Sequence, residues 1–335
     1  MIHILEKKPD DFKYWKYLDT NGIIKTIENM EIQCSAVKNL NDPFDCAPPF
    51  TCKEEYEKDD TIRRNKYENS ENGFISIILQ NYYVSSFTLS GYGNILMWGH
   101  YTNKYNGGVI EFKNTHSLFK NSISKVHYQK NPVEVSKDFF EFFKMERTFI
   151  PKIKPVLKDI HKMYTTKYKD WAYEKEIRYF TGAPSSEDEK NLTVANKNKL
   201  EQLECRVCNG QRYVYVKLTA DNINAIYIGE KMSGFDRLHL YMALKKHSIN
   251  VPVYIMKRGI KNFEIKKLND DSFQLCFILK KIFNDIEHCP EKFETLHSTL
   301  KELNQDDLFN SLITALENNS SVENLRKIVY KEYQE

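Results

Sequence analysis

The sequence predicts an α+β core over residues 1–268, followed by a helical segment over 269–335. Three observations carry this prediction. Runs rich in β-branched and aromatic residues read as strands, chiefly Tyr82–Thr88, Val109–Phe112, Tyr213–Leu218 and Ile223–Ile228. Stretches of helical periodicity and breaks marked by glycine or proline separate them, with no repeat at a fixed period. From Asp271 onward the apolar spacing is helical only, in four stretches that end at Tyr333.

Taken in order, Asp11–Tyr17 alternates aromatics with Lys and suits a half-exposed strand. Ile23–Asn29 is a short helix and Met30–Ser35 a strand. Asn39–Phe50 contains three prolines, which exclude regular structure, and Phe44 offers an apolar anchor. Lys53–Ser70 is a charged helix or insertion. Asn94 can cap a helix reaching Tyr105, after which Gly107-Gly108 would supply the positive φ of a tight turn. Val126–Tyr128 suggests a strand. Residues 133–167 read as two helices, interrupted at Pro151 and Pro155. Glu176–Phe180 is a strand, 182–210 a polar loop with one helix over Ala195–Leu203, and 229–234 a turn into a helix. Val251–Met256 and Phe263–Ile265 close the core.

Composition narrows the function. The chain has 335 residues, 41% hydrophobic and 28% charged, enough for a real core with a solvated surface. Its 49 Lys plus Arg against 46 Asp plus Glu leave +3, which does not make a bulk nucleic-acid binder but leaves room for a local basic groove. Seven scattered Cys, no secretory leader and no long apolar run point to a reduced cytoplasmic protein with free thiols, away from membranes. Cys205 and Cys208 form a lone CxxC without a second ligand pair, so two packed thiols near a loop are expected and no metal.

There is no P-loop, no G-x-G-x-x-G after a strand, no H-E-x-x-H and no G-x-S-x-G. What remains is Glu174-x-Glu176, preceded by Trp171 and followed by Arg178. On an extended chain both carboxylates share a face, where they can split their pKa values or pair with Arg178. The segment Met97–Tyr105 gathers Met, Trp, His and Tyr residues into a polar aromatic cluster.

These pieces occur in a recognisable order: FKYW at 12–15, NLNDPFDC at 39–46, MWGHY with GGVIEF within 97–112, DWAYEKEIR at 170–178 and INAIYIGEKMS at 223–233. The order resembles the bacterial domain-of-unknown-function family 2971, from about Phe12 to about Lys267. Three positions depart from the family pattern. Trp15 stands where the family has Arg, Tyr105 where it has His, and Ile177 where it has a second Trp. The family's element order in turn resembles the ADP-ribosyltransferase fold, with split mixed and antiparallel sheets. That resemblance implies NAD as substrate and a nucleic acid or protein as acceptor, in phage defence or as a toxin. It implies Glu176, Glu174 and His100 as catalytic residues. It implies Lys13, Tyr14, Asn41, Asp42, Trp98, Tyr101 and Arg178 as residues that hold NAD. An alternative is a non-enzymatic sensor or interaction module of a bacterial defence system, with the helical tail as partner surface. An NAD glycohydrolase is a third.

Overall fold

The structure, a computed structural model, describes residues 13–40, 42–52, 82–113, 123–139, 153–182 and 203–268, with Phe273, Ile278, Lys281 and Ile282 beyond them. Its elements in chain order begin with β1 (Lys13–Leu18), α1 (Thr20–Asn29), β2 (Glu31–Ala36), β3 (Phe50–Thr51), β4 (Tyr82–Thr88), α2 (Ile95–Tyr101) and β5 (Gly108–Lys113). Then follow β6 (Ile123–Lys125), β7 (His127–Gln129), β8 (Val133–Glu134), α3 (Ile153–Tyr164), β9 (Thr166–Tyr168) and β10 (Glu176–Gly182). The last are β11 (Leu203–Cys208), β12 (Gln211–Lys217), β13 (Ile223–Gly229), α4 (Gly234–Lys246), β14 (Val253–Arg258) and β15 (Ile265–Lys267). Helices and strands are thus mixed. The chain divides into two compact units. The first takes Met1–Tyr17, Asn29–Met97 and Ile110–Asn224; the second takes Leu18–Glu28, Trp98–Val109 and Ala225–Glu335.

A large sheet dominates the first unit, in the order β11-β12-β2-β4-β1-β5, with β10 on β4 and β6 on β10. β4 is its trunk. β10 pairs antiparallel along all of it, from Glu176↔Thr88 to Gly182↔Tyr82. The other edge of β4 is shared, by β2 at Tyr83 and Val84 and by β1 at Thr88. The sequence YYVSSFT suits that place: β-branched and aromatic side chains, no proline, and no charge along a strand with neighbours on both edges. Alternation on β10 was expected to set Ile177 and Tyr179 against Arg178 and Phe180. Instead Glu176, Ile177, Arg178 and Tyr179 are all buried, because both faces of this strand are covered.

Several local expectations change in this unit. Leu203 opens a strand, not the end of a helix, and Asn209-Gly210 turns β11 back on β12 with both residues at positive φ. Cys205 and Cys208 therefore sit on a hairpin strand, half-buried and exposed respectively. Val133–Glu134 is a short strand parallel to β3, not a helix start. Pro155 does not interrupt α3; it lies in the first turn, where backbone N–H groups have no intrahelical acceptor. Phe44, expected as an anchor, is exposed.

The second unit joins β13 and β14 in parallel and β14 and β15 antiparallel. Ser233 caps α4 by accepting from the Asp236 N–H at 3.1 Å. Ile23 and Ile27 of α1 and Leu240 and Leu244 of α4 are buried, as the helical spacing requires. α2 is shorter than expected. It stops at Tyr101, and Asn103, Lys104 and Tyr105 take positive φ of 48°, 55° and 73°. The glycine pair that follows serves close approach rather than positive φ, since a Cβ on Gly107 would lie 2.1 Å from the Leu18 carbonyl oxygen. The charged segment 53–70 and the helices expected from 269 onward lie outside the described residues, apart from the four named above. Among the described residues no helix is long and apolar enough to cross a membrane.

Candidate functional site

α3 ends at Tyr164, and β9 then carries Lys167 inward. A 3-10 turn over Lys169–Glu174 follows, and Lys175 takes φ 44° before β10 begins at Glu176. This turn, not an extended strand, separates the two carboxylates of the E-x-E pair. Both still reach one cation: Lys167 Nζ lies 2.8 Å from Glu174 Oε2 and 3.2 Å from Glu176 Oε2. Arg178 grips Glu176 at both oxygens, Nε to Oε1 at 2.7 Å and Nη2 to Oε2 at 2.9 Å. Asp45 closes the cluster from the proline-rich loop, 2.5 Å from Arg178 Nη2 and 3.4 Å from Lys167. All five charged side chains are buried, and Arg178 is 0% exposed.

Satisfied hydrogen bonds make such burial tolerable. Arg178 Nη1 donates to the Tyr164 carbonyl at 2.8 Å, at the C-terminal end of α3 where a cation is favoured. It also reaches Cys46 Sγ at 3.0 Å. The Glu176 N–H donates to Tyr128 Oη at 2.7 Å. Lys167 lies 4.8 Å from the centre of the Trp171 ring. Beneath the cluster, Val37, Cys46, Val84 and Tyr164 pack as an apolar floor.

The electrostatics follow from this geometry. Burial pushes the Glu176 carboxyl up, but the Arg178 charge and hydrogen bonds, Lys167 and the Ser86 hydroxyl outweigh it and hold it at about 2. Burial lowers the Lys167 pKa, yet Glu176, Asp45 and Glu174 together raise it on balance. The Cys46 thiol is pushed up to about 12 by burial, against the opposing Arg178 charge, so it stays protonated. Half-buried Lys16, which donates to Ser85 Oγ at 2.8 Å, is lowered to about 8 by burial.

A pH dependence results. The folded-state pKa of Glu176 lies below its unfolded value near 4.5, so its ionisation stabilises the fold above pH 4.5 and that stabilisation is lost as pH falls toward 2. The contribution is on the order of 3 kcal/mol. Thermal melting between pH 5 and about pH 2.5 should show the wild type falling more steeply than Glu176→Gln. Parallel slopes would mean that Glu176 titrates normally.

Register places further residues beside Glu176. Trp15 pairs with Thr88, and Thr88 pairs with Glu176, so the three side chains share one face across three neighbouring strands. Arg178 and Ser86 form the next rank. Thr88 Oγ1 donates to the Glu174 carbonyl. Trp15 is half-buried, and its indole N–H donates to buried Glu111 at 3.2 Å. Glu111 also takes Lys13 at 2.9 Å and Asn224 at 2.5 Å.

The structure thus brings Glu174, Glu176 and Arg178 together and adds Asp45, Lys167, Ser86, Thr88 and Tyr128, which the sequence reading did not single out. Lys13 is half-exposed at the edge of this face. Tyr14 points to the other face of β1, fully buried between Phe87 and Phe112, whose ring centres lie 5.1 and 5.6 Å away. Asp42 is used locally, its Oδ1 accepting from the Phe44 N–H at 2.9 Å. Asn41 lies outside the described residues. Trp98, His100 and Tyr101 belong to the second unit. There Trp98 is buried and stacks on Tyr105 at 5.7 Å, Tyr101 is half-buried, and His100 is exposed with its ring 6.3 Å from that of Tyr101. Among the described residues no group of three His, Cys, Asp or Glu side chains is arranged to hold a metal.

Residues 97–179, which contain MWGHY and all of WAYEKEIR, match the family model described as Protein of unknown function (DUF2971). The match is confined to that segment. The matched residues run from within α2 to the middle of β10, so four of the five buried charged residues, Lys167, Glu174, Glu176 and Arg178, with their partners Tyr128 and Tyr164 fall within the matched segment. Asp45 and Trp15 lie outside it. No curated protein and no solved structure matches the chain.

Proposed function

We propose that the first unit carries an ADP-ribosyltransferase-like site that uses NAD, with Glu176 as its catalytic carboxylate. The observation behind this reading is the row Trp15, Thr88, Glu176 on one sheet face, backed by Arg178 and Lys167. Cleaving the nicotinamide–ribose bond of NAD leaves positive charge on the ribose carbon, and a fixed ionised carboxylate stabilises that charge. Nicotinamide leaves with the bonding electrons; a nucleophile of a nucleic acid or protein forms the new bond and releases its proton. Arg178 and Lys167 hold Glu176 ionised and in place. Trp15 offers aromatic surface to a flat ring, and Lys13 a cation to a pyrophosphate. Glu174 acts through Lys167 as a positioning residue.

A second reading, a non-enzymatic interaction module, is favoured by one observation: both oxygens of Glu176 are already engaged by Arg178 and Lys167. One experiment separates the two. Labelled NAD is incubated with the protein and a cell lysate, and both nicotinamide release and label in the RNA, DNA and protein fractions are followed. Glu176→Gln should lower turnover about 10²–10³-fold, the size expected for loss of a key electrostatic group, while circular dichroism shows a folded chain. Wild-type protein that releases no nicotinamide, or a folded Glu176→Gln variant as active as wild type, would sink the enzyme reading and leave the second.

A further inference from the structure

We propose that the β14–β15 hairpin of the second unit is a binding ribbon for duplex nucleic acid. The segment reads KRGIKNFEIKK, from Lys257 to Lys267. It pairs antiparallel at Met256↔Lys267, Lys257↔Lys266 and Arg258↔Ile265, and the Gly259 N–H donates to the Glu264 carbonyl at 2.8 Å to close the turn. At the tip Ile260 and Phe263 are each 101% exposed. Five exposed cations surround them, Lys257, Arg258, Lys261, Lys266 and Lys267, with Glu264 as the sole acid of the segment.

The bland account of these features covers only half of them. Among the described residues β15 is an edge strand, and lysines on an edge discourage pairing with another chain. Two large apolar side chains in full solvent beside those lysines do the opposite, and point to a partner that covers them. The charges point the same way. Arg258 is paired with Glu230 at 2.5 Å, Lys266 with Glu264 at 2.9 Å, and Lys267 lies 4.3 Å from the Tyr254 ring centre. Lys257 and Lys261 make no ion pair with any described residue. Lys257 also stands directly opposite Lys266, a like-charge pair that costs the hairpin stability until an anion relieves it.

The arrangement suits a polyanion with two walls. Successive strand residues face opposite ways, so Lys257 with Lys266 and Arg258 with Lys267 project from different faces of the ribbon. A two-stranded ribbon fits the major groove of DNA, whose two phosphate backbones flank it on both faces. Exposed Ile and Phe can meet thymine methyl groups on the floor of that groove. An anionic bilayer fits less well. The apex of the turn is Lys261-Asn262, so the deepest point of any insertion would be a cation and an amide rather than the apolar pair.

The inference does not depend on the NAD reading, because it is tested without NAD. Full-length protein is titrated against fluorescein-labelled mixed-sequence duplex DNA and RNA, and in parallel against phosphatidylserine vesicles. Duplex binding that weakens with salt is expected. K257E/K261E/K266E should lower the affinity at least ~10-fold and reduce the salt slope by about 3, one unit per lost phosphate contact. I260S/F263S should weaken binding with the slope unchanged. All five positions are exposed, so melting temperatures should match wild type. No duplex binding, duplex binding equal in wild type and both variants, or binding to vesicles alone would overturn the proposal.

Discussion

Arg178→Met should lower the folding stability by about 3–5 kcal/mol, the usual cost of removing one partner from a buried ion pair. Met roughly fills the space of the aliphatic stem, so the loss is electrostatic rather than a cavity. What remains around Lys167 is Asp45, Glu174 and Glu176, three buried carboxylates on one ammonium. The Tyr164 carbonyl loses its Arg178 donor as well. The pH dependence identifies the cause. Without Arg178, burial acts on Glu176 with less opposition and its pKa rises, so the variant gains from protonation where wild type loses its ion pair. The stability gap measured by chemical denaturation should therefore narrow from pH 7 to pH 4. A pH-independent gap would assign the loss to packing. A Glu176→Leu change in the Arg178→Met background removes the orphaned charge, and the double variant should be more stable than the single one.

The cluster also shows how far local reasoning reaches. β4 and β13 were legible because Tyr82–Thr88 and Ile223–Gly229 carry their strand signal in their own residues. Glu174 and Glu176 were legible as a pair, though for a reason that did not hold: the chain between them turns through a left-handed Lys175, and Lys167 rather than an extended backbone unites them. Asp45 could not be chosen over Asp42 from sequence. Both lie in NDPFD; one closes its own turn and the other reaches a cation more than 100 residues away. Tyr14 and Trp15 pose the same problem on a strand. Period two says that neighbours face opposite ways, but only pairing with Thr88 says which face holds the site. The Asn209-Gly210 hairpin was missed behind a polar loop over 182–210 with a helix over Ala195–Leu203, although Asn-Gly between two strands is itself a hairpin turn signal.

Gly229→Ala should destabilise the second unit by about 3 kcal/mol, the top of the usual overpacking range, because the atoms in the way are backbone. An added Cβ would sit 1.9 Å from the Tyr105 carbonyl oxygen and 2.6 Å from its carbonyl carbon. That segment has little freedom to retreat. Tyr105 is held at φ 73°, its ring stacks on buried Trp98, and the Gly229 N–H donates to the Gly107 carbonyl at 2.8 Å. Gly107 and Gly108 are hemmed in on the same stretch, with the Leu18 and Tyr227 carbonyl oxygens 2.1 and 2.5 Å from where a Cβ would go. Gly99 offers the contrasting case two turns of chain earlier. It lies on the exposed face of α2 with nothing within 4 Å of an added Cβ, so Gly99→Ala should stabilise by roughly 0.5–1 kcal/mol through the lost flexibility of the unfolded chain. Urea midpoints of the two variants should move in opposite directions from wild type. Near-ultraviolet circular dichroism should change for Gly229→Ala alone, because displacing Tyr105 disturbs the Trp98 stack. A Gly229→Ala protein with an unshifted midpoint would show that the backbone contact at Tyr105 is looser than 1.9 Å implies.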